Sequence, residues 1–162
     1  MTQFSTSSLP QTYRPYVCQA GTFCLAGTQT GNVTTDYFHS ANHCIEGRYC
    51  PEGTLEAMGI LCTSGSYCPP RSVSPILAEP GYYTSGLGNV RQQPCEPGTY
   101  NNEYGATSCN LCPVGQFCGR EGMVEADIVP CQAGSYRSDN TTIYCTNCPE
   151  GTYSGLTGAI SK

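Results

Sequence analysis

The sequence has little of what normally fills a protein core. Trp is absent, charged residues make up 12%, and Leu, Ile, Val and Phe together number only 25 of 162 residues. Average soluble domains carry about 25% charged residues and a larger aliphatic share. Few aliphatic residues often mean disorder, but disorder usually also requires a high net charge, and here the net charge is only -5. The sequence therefore excludes one large aliphatic core and requires another source of rigidity.

Positive charge and long apolar runs are scarce as well. The seven Lys and Arg residues are scattered, and the pI is 4.8. Because nucleic acid binding needs a clustered positive surface, we exclude nucleic acid as a partner. No stretch approaches the ~20 apolar residues of a membrane span, so we expect none in this sequence. Residues 1–17 also lack the apolar core of a secretory signal. If the protein is secreted, we expect that signal to have been removed or to lie outside this sequence.

Cysteine supplies the missing restraint. The chain has 13 Cys, 19 Gly and 12 Pro residues. Thiols at this density would stay reduced in the cytosol, so the composition predicts an extracellular or cell-surface protein. It also predicts a row of small disulfide-bonded modules rather than one domain.

The pattern Cys-x-x-Gly-x-aromatic organises the chain. Its seven copies start at Cys18, Cys44, Cys62, Cys95, Cys112, Cys131 and Cys148. An eighth copy, from Ala78, keeps its glycine and Tyr83 but has Ala78 and Thr84 where the short kind of copy has two cysteines. The joint loss of both cysteines supports pairing within each copy, although spacing alone does not prove the connectivity.

Pairing within copies predicts six disulfide bonds of two spacings. The short and long pairs are Cys18–Cys24, Cys44–Cys50, Cys62–Cys68, Cys112–Cys118, Cys95–Cys109 and Cys131–Cys145. Cys148 is the odd cysteine, since the long spacing would place its partner at Lys162. We interpret Cys148 as unpaired in a repeat that the sequence does not complete. The alternative is an intermolecular bond with another subunit.

These patterns predict a small disulfide-rich fold of tandem cysteine-rich modules, with short β-hairpins, little helix and an elongated rod shape. The glycine permits a positive φ and a tight turn, and the aromatic ring is expected to pack on the disulfide and the next module. Stacking neighbours then share apolar surface. Short helical turns are predicted at 54–61 and 120–127.

The cysteine spacing also predicts the domain organisation. It consists of a cysteine-free arm at 1–17, short-type modules at 18–68 with an insert at 25–43, a degenerate module at 69–94, a repeat at 95–130 and an incomplete repeat at 131–162.

Few residues suggest chemistry. Asn32 and Asn140 begin Asn-x-Thr sequons and are predicted to carry N-glycans, and O-glycans are plausible near residues 5–12. The two CxxC pairs, Cys109/Cys112 and Cys145/Cys148, have zinc-ligand spacing, but each fits the disulfide repeat. His39 and His43 are interpreted as loop residues. We expect no catalytic residues, no metal and no cofactor, and therefore no enzyme.

The segment CEPGTYNNEYGATSCNLCPVGQFC, from Cys95 to Cys118, resembles the ephrin-receptor-like cysteine-rich repeat of the growth-factor-receptor type. Arrays of this kind occur in protist and algal surface proteins, including mastigoneme-type filament proteins. The resemblance runs from about Cys18 to Tyr153 and implies an extracellular, glycosylated, non-catalytic array. The lost cysteine pair at Ala78 and Thr84 departs from the pattern.

Two functions fit these features. The first is a structural glycoprotein, a module or subunit of a surface filament or coat that binds itself head to tail, with the arm at 1–17 pairing with the next subunit. The alternative is a spacer or ligand-binding part of a receptor or adhesin ectodomain.

Overall fold

In the computed structural model, the chain is described over residues 18–24, 43–55 and 58–161. These residues form six two-stranded antiparallel sheets, each a short hairpin. The strands are β1 Arg48–Tyr49, β2 Ile60–Leu61, β3 Ser66–Tyr67, β4 Ile76–Leu77, β5 Tyr82–Tyr83, β6 Gln93–Pro94, β7 Thr99–Tyr100, β8 Asn110–Leu111, β9 Gln116–Phe117, β10 Val129–Pro130, β11 Ser135–Tyr136 and β12 Thr146–Asn147.

Each copy of the pattern has three defining positions: a lead residue, a turn glycine and a closing residue. The copies are numbered repeats 1 to 8. The lead residue opens a copy, the turn glycine lies three residues later and the closing residue six residues later. The lead residues are Cys18, Cys44, Cys62, Ala78, Cys95, Cys112, Cys131 and Cys148. The closing residues are Cys24, Cys50, Cys68, Thr84, Asn101, Cys118, Arg137 and Ser154.

Each hairpin follows from the local sequence of its repeat. The turn glycine has a positive φ in all eight repeats, as a turn with this residue in its third position requires. In repeat 5 this is Gly98, with φ 91°, and the N–H of Thr99 donates to the carbonyl of Glu96 at 3.0 Å. The strand that follows carries the aromatic residue and pairs with the two residues before the next lead position. Tyr100, for example, pairs with Asn110.

The buried interior is a series of disulfide bonds rather than an aliphatic core. Most of the buried apolar residues are half-cystines, together with Phe23, Met123 and Ala78. Many aliphatic side chains of the second strands, such as Leu77 and Leu111, are exposed. The predicted small disulfide-rich fold with short hairpins is therefore confirmed, while the elongated rod stays a prediction.

The two predicted helical segments are not α-helices. Within 54–61, Ile60–Leu61 form β2 and pair with Arg48–Tyr49, and residues 56–57 lie outside the described ranges. Within 120–127 the structure has one 3-10 turn, Glu125–Asp127. Ile60 and Leu61 join a hairpin because the first strand of the same repeat supplies hydrogen-bond partners that an isolated helical turn lacks. No helix in the described part of the chain is long and apolar enough to cross a membrane.

The predicted domain boundaries stay predictions. The arm at 1–17 and nearly all of the insert at 25–43 lie outside the described residues.

The cysteine-free copy at Ala78 has the same hairpin as its neighbours, formed by β5 and β6. Ala78 and Thr84 are fully buried, and the Thr84 hydroxyl donates to the carbonyl of Ser66 at 3.2 Å. This repeat therefore keeps its geometry without a disulfide bond.

Candidate functional site

Successive repeats are joined by the same pair of backbone hydrogen bonds. In repeats 1 to 7 the N–H of the turn glycine donates to the carbonyl of the next closing residue at 2.6–3.1 Å. The carbonyl of the same glycine accepts from the N–H of the next lead residue at 2.8–3.0 Å. In repeat 5, Gly98 bonds in this way to Cys118 and Cys112. We call this arrangement the repeat junction.

The turn glycine is also in close contact with the second repeat along. A Cβ built on Gly47, Gly65 or Gly81 would overlap a backbone carbonyl oxygen two repeats later, at Gly88, Gly105 and Gly122 respectively. Such overlap with backbone cannot be relieved by rotating a side chain. The junction therefore requires glycine for both its φ and its lack of a side chain.

In six repeats, a second backbone hydrogen bond holds the carbonyl of the lead residue. This carbonyl accepts a hydrogen bond of 2.6–2.9 Å from a backbone N–H. The donor residue has a positive φ and lies three or four positions after the closing residue of the next repeat. These donors are Gly53, Arg71, Gly88, Gly105, Gly122 and Gly158. This second glycine was not predicted, although its spacing from the closing residue is visible in the sequence. Arg71 has a φ of 68°, and the other five donors are glycine.

Repeat 7 uses an arginine in place of that glycine. Arg137 occupies the closing position and is only 2% exposed. Its Nη1 donates to the carbonyls of Cys112, Pro113 and Gln116 at 2.9–3.3 Å, and its Nε donates to the carbonyl of Thr142 at 2.7 Å. The guanidinium thus donates to the lead carbonyl of Cys112, as a glycine N–H does in other repeats, and it connects repeat 6 to repeat 7.

In repeat 5 the closing position holds Asn101, which is 3% exposed. Its Nδ2 donates to the carbonyls of Tyr82 and Glu103 at 2.9 and 2.8 Å. In both long-type repeats, a polar side chain therefore stands where short-type repeats have a cysteine. Neither residue was identified from the sequence.

Aromatic rings pack on the disulfide bond of the following repeat. Phe23 lies in one buried cluster with Cys44 and Cys50. Tyr100 packs against the cluster that contains Cys112 and Cys118. This is the contact with the next module that the sequence predicts.

The half-cystines lie in six bonds with Cα–Cα distances of 5.7–6.1 Å. They are Cys18–Cys24, Cys44–Cys50, Cys62–Cys68, Cys95–Cys109, Cys112–Cys118 and Cys131–Cys145. Three of the four cysteines in the two CxxC pairs are therefore in disulfide bonds. Within the described ranges, no group of three or more His, Cys, Asp or Glu side chains is placed to hold a metal ion.

Cys148 is a free thiol and is half-buried. The closing position of its repeat is Ser154, which offers no partner sulfur. Its proposed intermolecular bond stays a prediction.

Two of the other predicted site residues, Asn140 and His43, lie within the described ranges. Asn140 is exposed between β11 and β12, and Asn32 and His39 lie outside the described residues. Next to the sequon, the hydroxyl and backbone N–H of Thr141 donate to Asp139 and lower the pKa of that carboxyl. The backbone of His43 forms an isolated antiparallel β-bridge with Thr22. The Nε2 atom of His43 lies 3.0 Å from Nη2 of Arg71.

The disulfide pairing makes a mutational prediction. Changing Cys62→Ser together with Cys68→Ser is expected to lower the free energy of unfolding by about 2 kcal/mol, because a short cross-linked loop is lost. Cys62→Ser alone should be more damaging, since the free Cys68 thiol attacks neighbouring disulfides. Urea unfolding measures the loss of stability, and peptide mapping without reduction measures the rearranged disulfide bonds. A double variant with more scrambled bonds than the single variant would contradict pairing within repeats.

No curated protein matches the chain. Residues 81–127 match the sequence model of the family described as tyrosine-protein kinase ephrin type A/B receptor-like. The match covers parts of repeats 4 to 6, including the lead residue Cys95 and the close contact between Gly81 and Gly122. Less than a third of the sequence is covered, but the same bonds recur at the junctions on both sides of it. Residues 81–127 are therefore similar to the ephrin-receptor-like cysteine-rich domain, and the six disulfide bonds fit an array of cysteine-rich repeats.

Proposed function

We propose that the protein is a non-catalytic structural glycoprotein of the cell exterior, a module or subunit of a surface filament or coat that assembles end to end. The single observation that carries this proposal is the repeat junction. Seven successive junctions use the same glycine N–H and carbonyl, although the repeats differ in length, in cysteine content and in their closing residues.

Apart from the turn glycine, the junction bonds do not depend on side-chain identity. The donors and acceptors that join two repeats are main-chain atoms, which every repeat presents in the same turn geometry. A face of this kind fits any further repeat of the same class, including one from another molecule. Heterologous contacts of this type do not close on themselves and so build fibres.

The disulfide bonds support the extracellular location. Six disulfide bonds persist only in an oxidising compartment. Asn140 is exposed in the loop between β11 and β12 and makes none of the junction bonds, so a glycan there would replace none of them. The proposal therefore includes an N-glycan at Asn140.

A second candidate is a spacer or ligand-binding segment of a receptor or adhesin ectodomain. It is favoured by the family match at residues 81–127, whose description refers to receptors. In that role the same junctions would hold the repeats at a fixed spacing, and the chain would bind a different molecule instead of itself.

Self-association separates the two candidates. The chain should be produced through a secretory pathway, with its disulfide bonds formed, and examined by chromatography with light scattering over a wide concentration range. A structural subunit is expected to increase in mass with concentration and to form regular fibres in negative stain. A clean monomer at the highest concentration would contradict the filament proposal and favour the receptor candidate.

A further inference from the structure

A small open cavity lies between repeats 4 and 5, beside the half-buried Cys109. It has a volume of about 210 Å³ and is lined by Tyr83, Glu96, Thr99, Ser108 and Cys109. Tyr83 is the aromatic residue of repeat 4, and the other four residues belong to repeat 5. An engineered apolar cavity of about 150 Å³ binds benzene, so this cavity has room for a single ring.

Repeat 7 carries a ring at the place where repeat 5 has this cavity. Repeats 5 and 7 are the two long-type repeats, and Tyr144 of repeat 7 corresponds to Ser108 of repeat 5, one residue before the second cysteine. The ring of Tyr144 packs on Phe117, the aromatic residue of repeat 6, with 5.7 Å between the ring centroids. Tyr83 stands in the same relation to repeat 5, but within the described ranges no second ring packs on it.

The difference between tyrosine and serine at this position leaves the contact incomplete in repeat 5. The Ser108 side chain is too short to cover a neighbouring ring as Tyr144 does, so Tyr83 borders the open cavity instead. Two aromatic rings attract each other when their centroids are about 4.5–7 Å apart. A ring placed in the cavity would therefore complete the contact that repeat 7 makes within the chain.

The polar lining of the cavity favours a ring that carries a hydroxyl group. Glu96 is exposed and lines the cavity, and its carboxylate accepts hydrogen bonds. The hydroxyl of Thr99 already donates to the backbone carbonyl of Glu96 at 2.7 Å. A tyrosine hydroxyl would donate a charge-assisted hydrogen bond to the carboxylate, whereas phenylalanine has no donor. The equivalent of Glu96 in repeat 7 is the neutral Gln132.

We propose that this cavity, which we call the Tyr83 pocket, binds an exposed tyrosine side chain of a partner protein. The supporting observation is internal, because Tyr144 of the same chain already packs at the equivalent place in repeat 7. A tyrosine that fills a pocket is a common anchor at protein interfaces. The pocket is formed by repeats 4 and 5 alone and does not depend on the end-to-end assembly proposed above.

Titration of the whole chain with N-acetyl-L-tyrosinamide, followed by NMR, tests the pocket. The amide signals of Tyr83, Thr99 and Ser108 are expected to shift with a Kd on the order of 1 mM, because a ligand this small makes few contacts. N-acetyl-L-phenylalaninamide should bind at least about threefold more weakly, since it cannot donate to the Glu96 carboxylate. The variant Glu96→Gln should reduce that difference.

Two variants exchange the residues that distinguish repeats 5 and 7. Ser108→Tyr fills the pocket with the ring that repeat 7 carries and should abolish binding. Ser74→Tyr is the matched control, because Ser74 is an exposed serine outside the pocket, and this variant should bind as the parent does. Tyr144→Ser should open a second pocket in repeat 7, so that the signals of Phe117 and Ser135 also shift. Misfolding of a variant would not produce that gain.

Three results would overturn the proposal: unchanged signals of Tyr83 and Ser108 in the parent, binding by Ser108→Tyr as tight as that of the parent, or no second site in Tyr144→Ser. Methyl α-D-glucopyranoside is the competing probe, because a sugar ring also stacks on tyrosine. If this glycoside shifts Tyr83 and Ser108 while the tyrosine derivative does not, the pocket binds a glycan and tyrosine docking is wrong. Self-association of the chain is not measured in this test, so its outcome is separate from that of the filament proposal.

Discussion

Replacing Arg137 with methionine is expected to lower the free energy of unfolding of repeats 6 and 7 by about 3 kcal/mol. The side chain is 2% exposed, and its guanidinium donates to four carbonyls that belong to two repeats. Methionine fills similar volume but donates no hydrogen bond. Each buried carbonyl left without a donor contributes about 1 kcal/mol or more of destabilisation.

A lysine at this position should be intermediate. Arg137→Lys keeps the charge, but a single ammonium lacks the planar array of donors that lets arginine reach several carbonyls at once. We expect a loss of about 2 kcal/mol.

Urea unfolding followed by tyrosine fluorescence measures these losses, since the chain has 12 Tyr and no Trp. Arg91→Met is the control, because Arg91 is exposed and should change stability by less than about 0.5 kcal/mol. Equal effects of Arg137→Met and Arg91→Met would show that the buried guanidinium does not tie the repeats together.

The variant Gly65→Ala is expected to destabilise the array by about 3 kcal/mol or more. Two effects combine at this site. Gly65 has φ 83°, a conformation that costs an alanine about 1–2 kcal/mol. An added Cβ would also overlap the carbonyl oxygen of Gly105, which is backbone and belongs to the second repeat along.

Gly86→Ala separates the two effects, because Gly86 has a similar φ and open space around it. It should show only the conformational part, about 1–2 kcal/mol. Thermal unfolding of both variants, without reducing agent, gives the difference. If the two variants unfold at the same temperature, close approach between repeats 3 and 5 contributes nothing to stability.

Local features of the fold were predictable where they depend on a few adjacent residues. The turn at Gly98 follows from Glu96-Pro97-Gly98-Thr99, because proline favours the second position of such a turn and glycine the third. The strand at Tyr100 follows directly from that turn. By contrast, residues 54–61 were predicted as helical, and the pairing of Ile60 with Tyr49 in the preceding strand decided otherwise.

The junction could be predicted only in part. The recurring glycine and aromatic residue were visible in the sequence, and so was the absence of cysteine at Ala78 and Thr84. The role of Arg137 was not visible, because its acceptor at Gln116 lies 21 residues away and no local pattern specifies that distance.

The sequence by itself determined that this protein is a row of cross-linked small modules, since its composition provides cysteine, glycine and aromatic rings but little aliphatic volume. Only the tertiary structure decided which residues hold neighbouring modules together. Asn101 and Arg137 act through main-chain partners in other repeats, and the local sequence around them does not specify those partners.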